Sequence, residues 1–172
     1  MGQRYSCLCG FNDIRRTGDQ LFGQLFRDFD KTKIELNNMF SQFQKCQVCD
    51  DFLSETFFIS QSEKNTFLIL INPLFTFDDE INKINSKRYT NRIVVNDPNK
   101  IIIPSENDSK IEYRIVSFIE HSGDSIVSGH YVAWVRNVRN KNKWVRIEDS
   151  KISFKDEFIC LDNAYLIFLQ KN

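Results

Sequence analysis

The segment Ser128-Gly129-His130-Tyr131-Val132-Ala133-Trp134-Val135 and its continuation Lys143-Trp144-Val145-Arg146-Ile147-Glu148-Asp149 limit the fold more than any other part of the chain. Each half is rich in β-branched and aromatic residues, and a polar Arg139-Asn140-Lys141-Asn142 stretch separates them. That pattern predicts a β-hairpin. The first half is apolar at consecutive positions, which predicts a central strand covered on both faces. A histidine stands at the entrance of one strand and an acidic pair at the exit of the other.

The loop length decides which acid meets the histidine. In an antiparallel pair, residues equally far from the turn lie opposite one another, and neighbours on one face come within side-chain reach. With a four-residue loop, His130 falls opposite Lys151 and Asp149 shares its face. With a five-residue loop, His130 falls opposite Ser150 and Glu148 takes that face, because side chains alternate along a strand. In both cases a carboxylate reaches one ring nitrogen and leaves the other free to act as a base. Gly129 allows another chain segment to approach closely just before the histidine.

The wider stretch carries further landmarks. Tyr113-Arg114-Ile115-Val116-Ser117-Phe118-Ile119-Glu120-His121-Ser122-Gly123 comes first, then Ser128-Gly129-His130-Tyr131, then Trp144, then Glu148-Asp149, and last Ala164-Tyr165-Leu166-Ile167-Phe168. In order, spacing and residue type, these five landmarks resemble the histidine-box half of the ubiquitin-specific proteases. The resemblance implies a papain-like thiol hydrolase that cleaves after the C-terminal glycine of ubiquitin. His130 would be the general base, Glu148 would stand where the family has its Asp or Asn, and Asp149 would match the Asp that follows. The loop from His121 to Gly129 would flank the channel for the ubiquitin tail. That places Gly123, Asp124, Ser125, Gly129 and Tyr131 near the substrate. Ubiquitin or a ubiquitinated protein is the partner so implied.

The rest of the composition narrows the possibilities. Lys plus Arg equal Asp plus Glu at 23 each, so no general charge favours nucleic acid or an anionic membrane. No stretch of apolar residues is long enough to span a bilayer. Met1-Gly2-Gln3-Arg4 leads into no apolar run, so no signal peptide is expected. Five cysteines, an odd number, then argue for a reduced, intracellular protein, cytoplasmic or nuclear. Cys7 and Cys9 form one close pair and Cys46 and Cys49 another, which suggests a single tetrahedral zinc site. Four thiolates on one zinc would be worth about 10–16 kcal/mol, against a net domain stability of about 5–15 kcal/mol. The resemblance implies the same, since many members of the family carry two cysteine pairs in a ribbon called the fingers. The C-x-C spacing of the first pair departs from the usual C-x-x-C.

The expected fold class is α+β, the palm and fingers of a papain-like hand. Leu21, Phe22, Leu25, Phe26 and Phe29 recur at helical spacing, as do Ile34, Leu36, Met39, Phe40 and Phe43, which predicts short N-terminal helices within 19–44. Thr32 and Glu35 fit a capping box for the second. A mostly antiparallel sheet of about six strands follows, built from 52–61, 66–72, 101–104, 113–120, the hairpin and 165–169. Residues 76–97 read as a solvated connection, and 150–163 as a linker with a short strand at Phe158-Ile159-Cys160. The organisation expected is one partial domain: 1–60 fingers-like, 61–172 palm-like with the histidine box.

A thiol hydrolase also needs a thiolate placed before backbone amides. The family's N-terminal cysteine box, G-N-T-C-Y-M-N-S, has no counterpart here, and Tyr5-Ser6-Cys7-Leu8-Cys9-Gly10 does not replace it. The helical thumb that carries the box is therefore expected to come from elsewhere, for instance from another chain. The sequence implies a deubiquitinase-like domain that is inactive in isolation, or else a non-catalytic module that binds ubiquitin or serves as a scaffold.

Overall fold

The structure is a computed structural model that describes residues 1–16, 22–27, 31–59, 66–78, 85–107, 109–125, 127–140, 143–158 and 160–172. Within them the order is β1 (Gly2–Cys7), β2 (Asn12–Arg16), β3 (Phe22–Gln24), β4 (Lys33–Glu35), a 3-10 turn (Leu36–Asn38), β5 (Ser41–Lys45), β6 (Phe52–Phe58), β7 (Phe67–Ile71) and β8 (Phe75–Asp78). There follow β9 (Asn85–Arg88), β10 (Arg92–Val94), β11 (Ile101–Pro104), β12 (Lys110–Ser122), β13 (His130–Arg136), β14 (Trp144–Glu148), β15 (Lys151–Lys155) and β16 (Ala164–Lys171). The large sheet has the order β15-β14-β13-β12-β16-β7-β3, with β11 also paired to β12. A four-stranded ribbon, β2-β1-β6-β5, stands apart from it in pairing. Neighbours are antiparallel except β3 on β7 and β4 on β10.

One face of the large sheet is packed and the other is bare. The pairings place Leu68, Leu70, Phe118, Val132, Trp134, Trp144, Ile167 and Leu169 on one face, all 3% exposed or less. Leu25, Ile34, Leu36, Met39, Phe40 and Leu161 join the same core. Phe118 lies at its centre, its ring centroid 5.8 Å from that of Trp134 and 5.5 Å from that of Trp144. The opposite face presents Phe67, Val135, Ile147, Ile152 and Phe154 to solvent, between 36% and 66% exposed. Strand alternation sends every second residue there. β13 is therefore central in strand order, as its apolar run predicts, but it is covered on one face only.

Mostly sheet with almost no helix, the fold corrects the expected N-terminal helices. Part of 19–44 lies outside the described residues; where it is described, the apolar positions bury themselves by pairing. β3 lies parallel to β7, and β4 lies parallel to β10. Ile34 and Leu36 are buried two residues apart, a strand spacing, and Met39 and Phe40 follow the 3-10 turn. Pairing with distant strands has outweighed the local periodicity. Glu35 makes no side-chain cap, so the Thr32–Glu35 capping box is not formed. Phe43, assigned to a helical stripe, stands 73% exposed on β5.

Two other expectations are corrected. The 76–97 segment contains β9, β10 and the buried Asn91 and Ile93. The 150–163 linker contains β15, the edge strand, and the Phe158–Cys160 strand is absent from its described residues. Among the described residues, no helix is long and apolar enough to cross a membrane.

Candidate active site

β13 starts at His130 because the loop before it closes tightly. Ser122 pairs with His130 across β12 and β13. Gly123 has φ +145°, where a side chain is disfavoured, and a Cβ there would lie 2.9 Å from the Ser128 carbonyl oxygen. At Gly129 a Cβ would lie 2.1 Å from His121 Nε2, so the ring of His121 occupies the space that the glycine leaves. Close approach at Gly129 is thus made by the neighbouring strand's own histidine.

Arg88 holds the far side of this loop. Its Nη2 donates to the His121 carbonyl (2.8 Å) and to Asn163 Oδ1 (3.0 Å), and its Nη1 donates to the Gly123 carbonyl (2.5 Å). Nη1 also lies 3.4 Å from His121 Nδ1. Burial, and secondarily this cation, lower the pKa of His121, which is 4% exposed. Sequence reading missed Arg88, one of two arginines in a charged, Asn-rich run that read as loop. No pattern in the chain points to it.

The hairpin selects Glu148. Val135 pairs with Val145 and Ala133 with Ile147, a register that by alternation puts Glu148 on the same face as His130. The Asn137 amide donates to the Lys143 carbonyl, leaving a five-residue loop. Glu148 Oε1 lies 3.0 Å from His130 Nε2. Asp149 instead occupies the turn after β14, with φ +49° and its side chain exposed. Glu148 has a second partner, which sequence reading also missed: Arg146 Nη1 donates to Oε2 at 2.5 Å. This bond is the main reason that the Glu148 carboxyl stays below the usual carboxylate range; His130 adds less. The His130 side chain is 44% exposed.

A cleft of about 320 Å³ is lined by Ile71, Leu74, Phe75, His121, Tyr131 and Tyr165 among others, and alternation along β13 turns Tyr131 to the face opposite His130. Tyr131 is 55% exposed, and its ring centroid lies 4.8 Å from that of His121. Gly123 and Asp124 are exposed in the loop above it, and the Ser125 hydroxyl accepts the Val127 amide (3.2 Å). The arrangement offers a half-exposed imidazole with one nitrogen engaged, and an aromatic-walled groove that begins at the next residue, Tyr131.

At the tip of the ribbon the two cysteine pairs converge. Register pairs Cys7 with Leu53 and Lys45 with Phe52, so both turns lie at one end. Gly10 at φ +91° and Asp50 at φ +61° shape these turns. The Sγ atoms of Cys7, Cys9, Cys46 and Cys49 all lie within 4.8 Å of one another, and the four could hold a metal ion. Cys7 and Cys49 are 3.4 Å apart, Cys9 and Cys46 4.0 Å. The Val48 and Cys49 amides draw the Cys46 thiol down to about 7. The Asp51 amide also draws on Cys49, but the neighbouring thiols push it up to about 12.

Comparison with known proteins follows the same lines. The family profile described as ubiquitin carboxyl-terminal hydrolase matches residues 27–169. Ubiquitin carboxyl-terminal hydrolase 6 of Schizosaccharomyces pombe is 46% identical over 41 residues, 24% of this chain and 9% of that protein. Ubiquitin carboxyl-terminal hydrolase 20 of Arabidopsis thaliana is 33% identical over 64 residues, 37% of this chain and 9% of that protein. Among solved structures, the SAGA Ubp8/Sgf11/Sus1/Sgf73 DUB module bound to ubiquitin aldehyde aligns with a TM-score of 0.66 at 18% identity, covering 99% of this chain and 40% of that one. The Ubp8-Sgf11-Sgf73-Sus1 SAGA DUB module aligns at 0.64 and 17%, covering 99% and 38%. The chain therefore has the fold of these structures over nearly its whole length, while spanning well under half of theirs.

Proposed function

Because this chain belongs to the ubiquitin carboxyl-terminal hydrolase family, we propose that it supplies the base-bearing side of a thiol-dependent deubiquitinating site. The observation that carries the reading is the contact of the half-exposed His130, through Nε2, with Glu148 at 3.0 Å. With Nε2 donating to the carboxylate, Nδ1 is the nitrogen free to take a proton from a thiol and return it to the leaving amine. Glu148 is the orienting acid, and Asp149 lies outside that pair. Gly123, Asp124, Ser125, Gly129 and Tyr131 border the path of a ubiquitin tail, with Tyr131 and His121 as its aromatic wall.

The thiol would come from outside these residues. Four of the five cysteines sit in the ribbon cluster, and Cys160 is half-buried, its pKa raised by burial. The bare face of the large sheet, turned away from His130, supports a separate covering layer, because an apolar sheet face needs one. The same distribution of cysteines favours a second reading, in which the isolated chain is a non-catalytic module that binds ubiquitin.

Zinc fits the ribbon. A tetrahedron with Zn–S near 2.3 Å has edges of about 3.8 Å, close to the Cys7–Cys49 and Cys9–Cys46 separations of 3.4 and 4.0 Å. All four thiols would bind it, and its charge would keep them ionised. Residues 1–60 then form a fingers-like part and 61–172 a palm-like part, in a reduced compartment of the cell.

Titration of isotope-labelled chain with ubiquitin tests both readings. Resonances of Gly123, Gly129 and Tyr131 should move on addition, and no movement at millimolar ubiquitin would reject ubiquitin recognition. A ubiquitin–vinyl electrophile then separates them. Adduct formation once a cysteine-bearing thumb is supplied supports the catalytic reading, and its absence supports the binding module.

A further inference from the structure

Glu148 has three side-chain torsions where an aspartate has two, so a single contact to His130 would leave its carboxylate poorly held. Its second oxygen is held by Arg146. The two residues are i and i+2 on β14 and share the packed face with His130 and Trp134. Arg146 pairs across the hairpin with Trp134, and its guanidinium stands 5.9 Å above that ring. The indole is itself fixed: it stacks on Phe118, and its Nε1 donates to Glu120 Oε2 at 2.6 Å. A chain of oriented groups thus runs from the core, through Trp134 and Arg146, to Glu148 and His130.

We propose that Arg146 is a positioning residue: by holding Glu148 Oε2 it aims Oε1 at His130 Nε2, and so fixes which ring nitrogen of His130 is free. A guanidinium suits this task because it is planar, stacks on an indole and binds carboxylate oxygens directionally. The inference rests on His130 being the base, yet it concerns the tautomer of the ring, which is measured without any reaction.

The test is the nitrogen-15 spectrum of the imidazoles in the full chain, which has only two histidines. In neutral His130 of the unmodified protein, Nε2 should carry the proton and Nδ1 should not. In Arg146→Gln the ring should become a mixture of both tautomers, and Arg146→Lys should retain a larger share of the Nε2–H form than Gln does. A single, unchanged Nε2–H tautomer in a folded Arg146→Gln protein overturns the proposal. So does a larger loss on Glu148→Gln in the Arg146→Gln background than in the parent, because Arg146 would then be competing with His130. Should Arg146→Gln not fold, Arg146→Lys decides at neutral pH: its Nε2–H share should fall below that of the parent, and an undiminished share refutes the coupling. A positive tautomer result without ubiquitin binding would leave the positioning role standing and reject the functional reading.

Discussion

The His121 imidazole fills the space beside Gly129, where an added Cβ would lie 2.1 Å from its Nε2 and 2.6 Å from the Ser122 carbonyl oxygen. The backbone before His130 is therefore seated against a side chain of the adjoining strand. Gly129→Ala is expected to destabilise the protein by about 1–3 kcal/mol, the usual cost of overpacking. It should also displace His121 from Arg88. Chemical denaturation measures the first effect and the His121 ring signals the second. A wild-type midpoint with unmoved ring signals would show that the space is not needed.

His121 also makes stability depend on pH. Burial depresses its pKa in the folded state, with Arg88 acting in the same direction. Above the unfolded value near 6.5 both states are neutral and the full stability is present. As pH falls through that value the unfolded chain takes up the proton first, so stability declines until the lower folded pKa is reached. The denaturation midpoint should fall between about pH 7.5 and 5.5. His121→Gln should flatten this slope while leaving the separate loss at more acidic pH, below the ordinary carboxylate range, that arises from the depressed carboxyl of Glu148. A slope unaltered by His121→Gln would place the titrating group elsewhere.

Much of this centre was legible in the sequence because it is local. The hairpin, the position of His130 at its entrance and the alternative of a five-residue loop that presents Glu148 all follow from residues within one turn of chain. The choice between Glu148 and Asp149 was not legible, since loop length shifts register by one and reverses every side chain. Arg88 was invisible for a different reason. It acts through three oxygens from residues 33 to 75 positions away, and nothing in its own neighbourhood encodes them. The helices expected within 19–44 failed similarly: Leu25, Ile34 and Met39 are buried by parallel strands and a 3-10 turn whose partners, β7 and β10, are distant in sequence. The cysteine pairs were legible as pairs, and the antiparallel ribbon brought them together.

The ribbon cluster predicts dependence on metal. A zinc-specific chelator should lower the melting temperature by at least about 6–12 °C, equivalent to about 3 kcal/mol for a chain of this size. Zinc, but not magnesium, should restore it, because magnesium prefers oxygen ligands. Cys46→Ser should reproduce the loss and remove the response to chelator. A melting curve indifferent to chelator would exclude a structural metal at these four thiols.

The two faces of the large sheet should respond oppositely to substitution. Phe118 is fully buried and touches the rings of Trp134, Trp144 and Phe158. Its truncation to alanine removes contacts from all three and leaves a cavity, at a cost of about 3–5 kcal/mol. That is a large share of a net stability of about 5–15 kcal/mol, so the variant should melt far below the parent. Phe154, on the bare face of β15, is 66% exposed. Phe154→Ser should change stability by no more than about 0.5 kcal/mol in the isolated chain. If a thumb-bearing chain covers this face, the same substitution should weaken that association while leaving the melting temperature of the isolated chain in place. Equal losses from Phe118→Ala and Phe154→Ser in the isolated chain would mean that the bare face is already covered, and the expectation of a separate covering layer would fail.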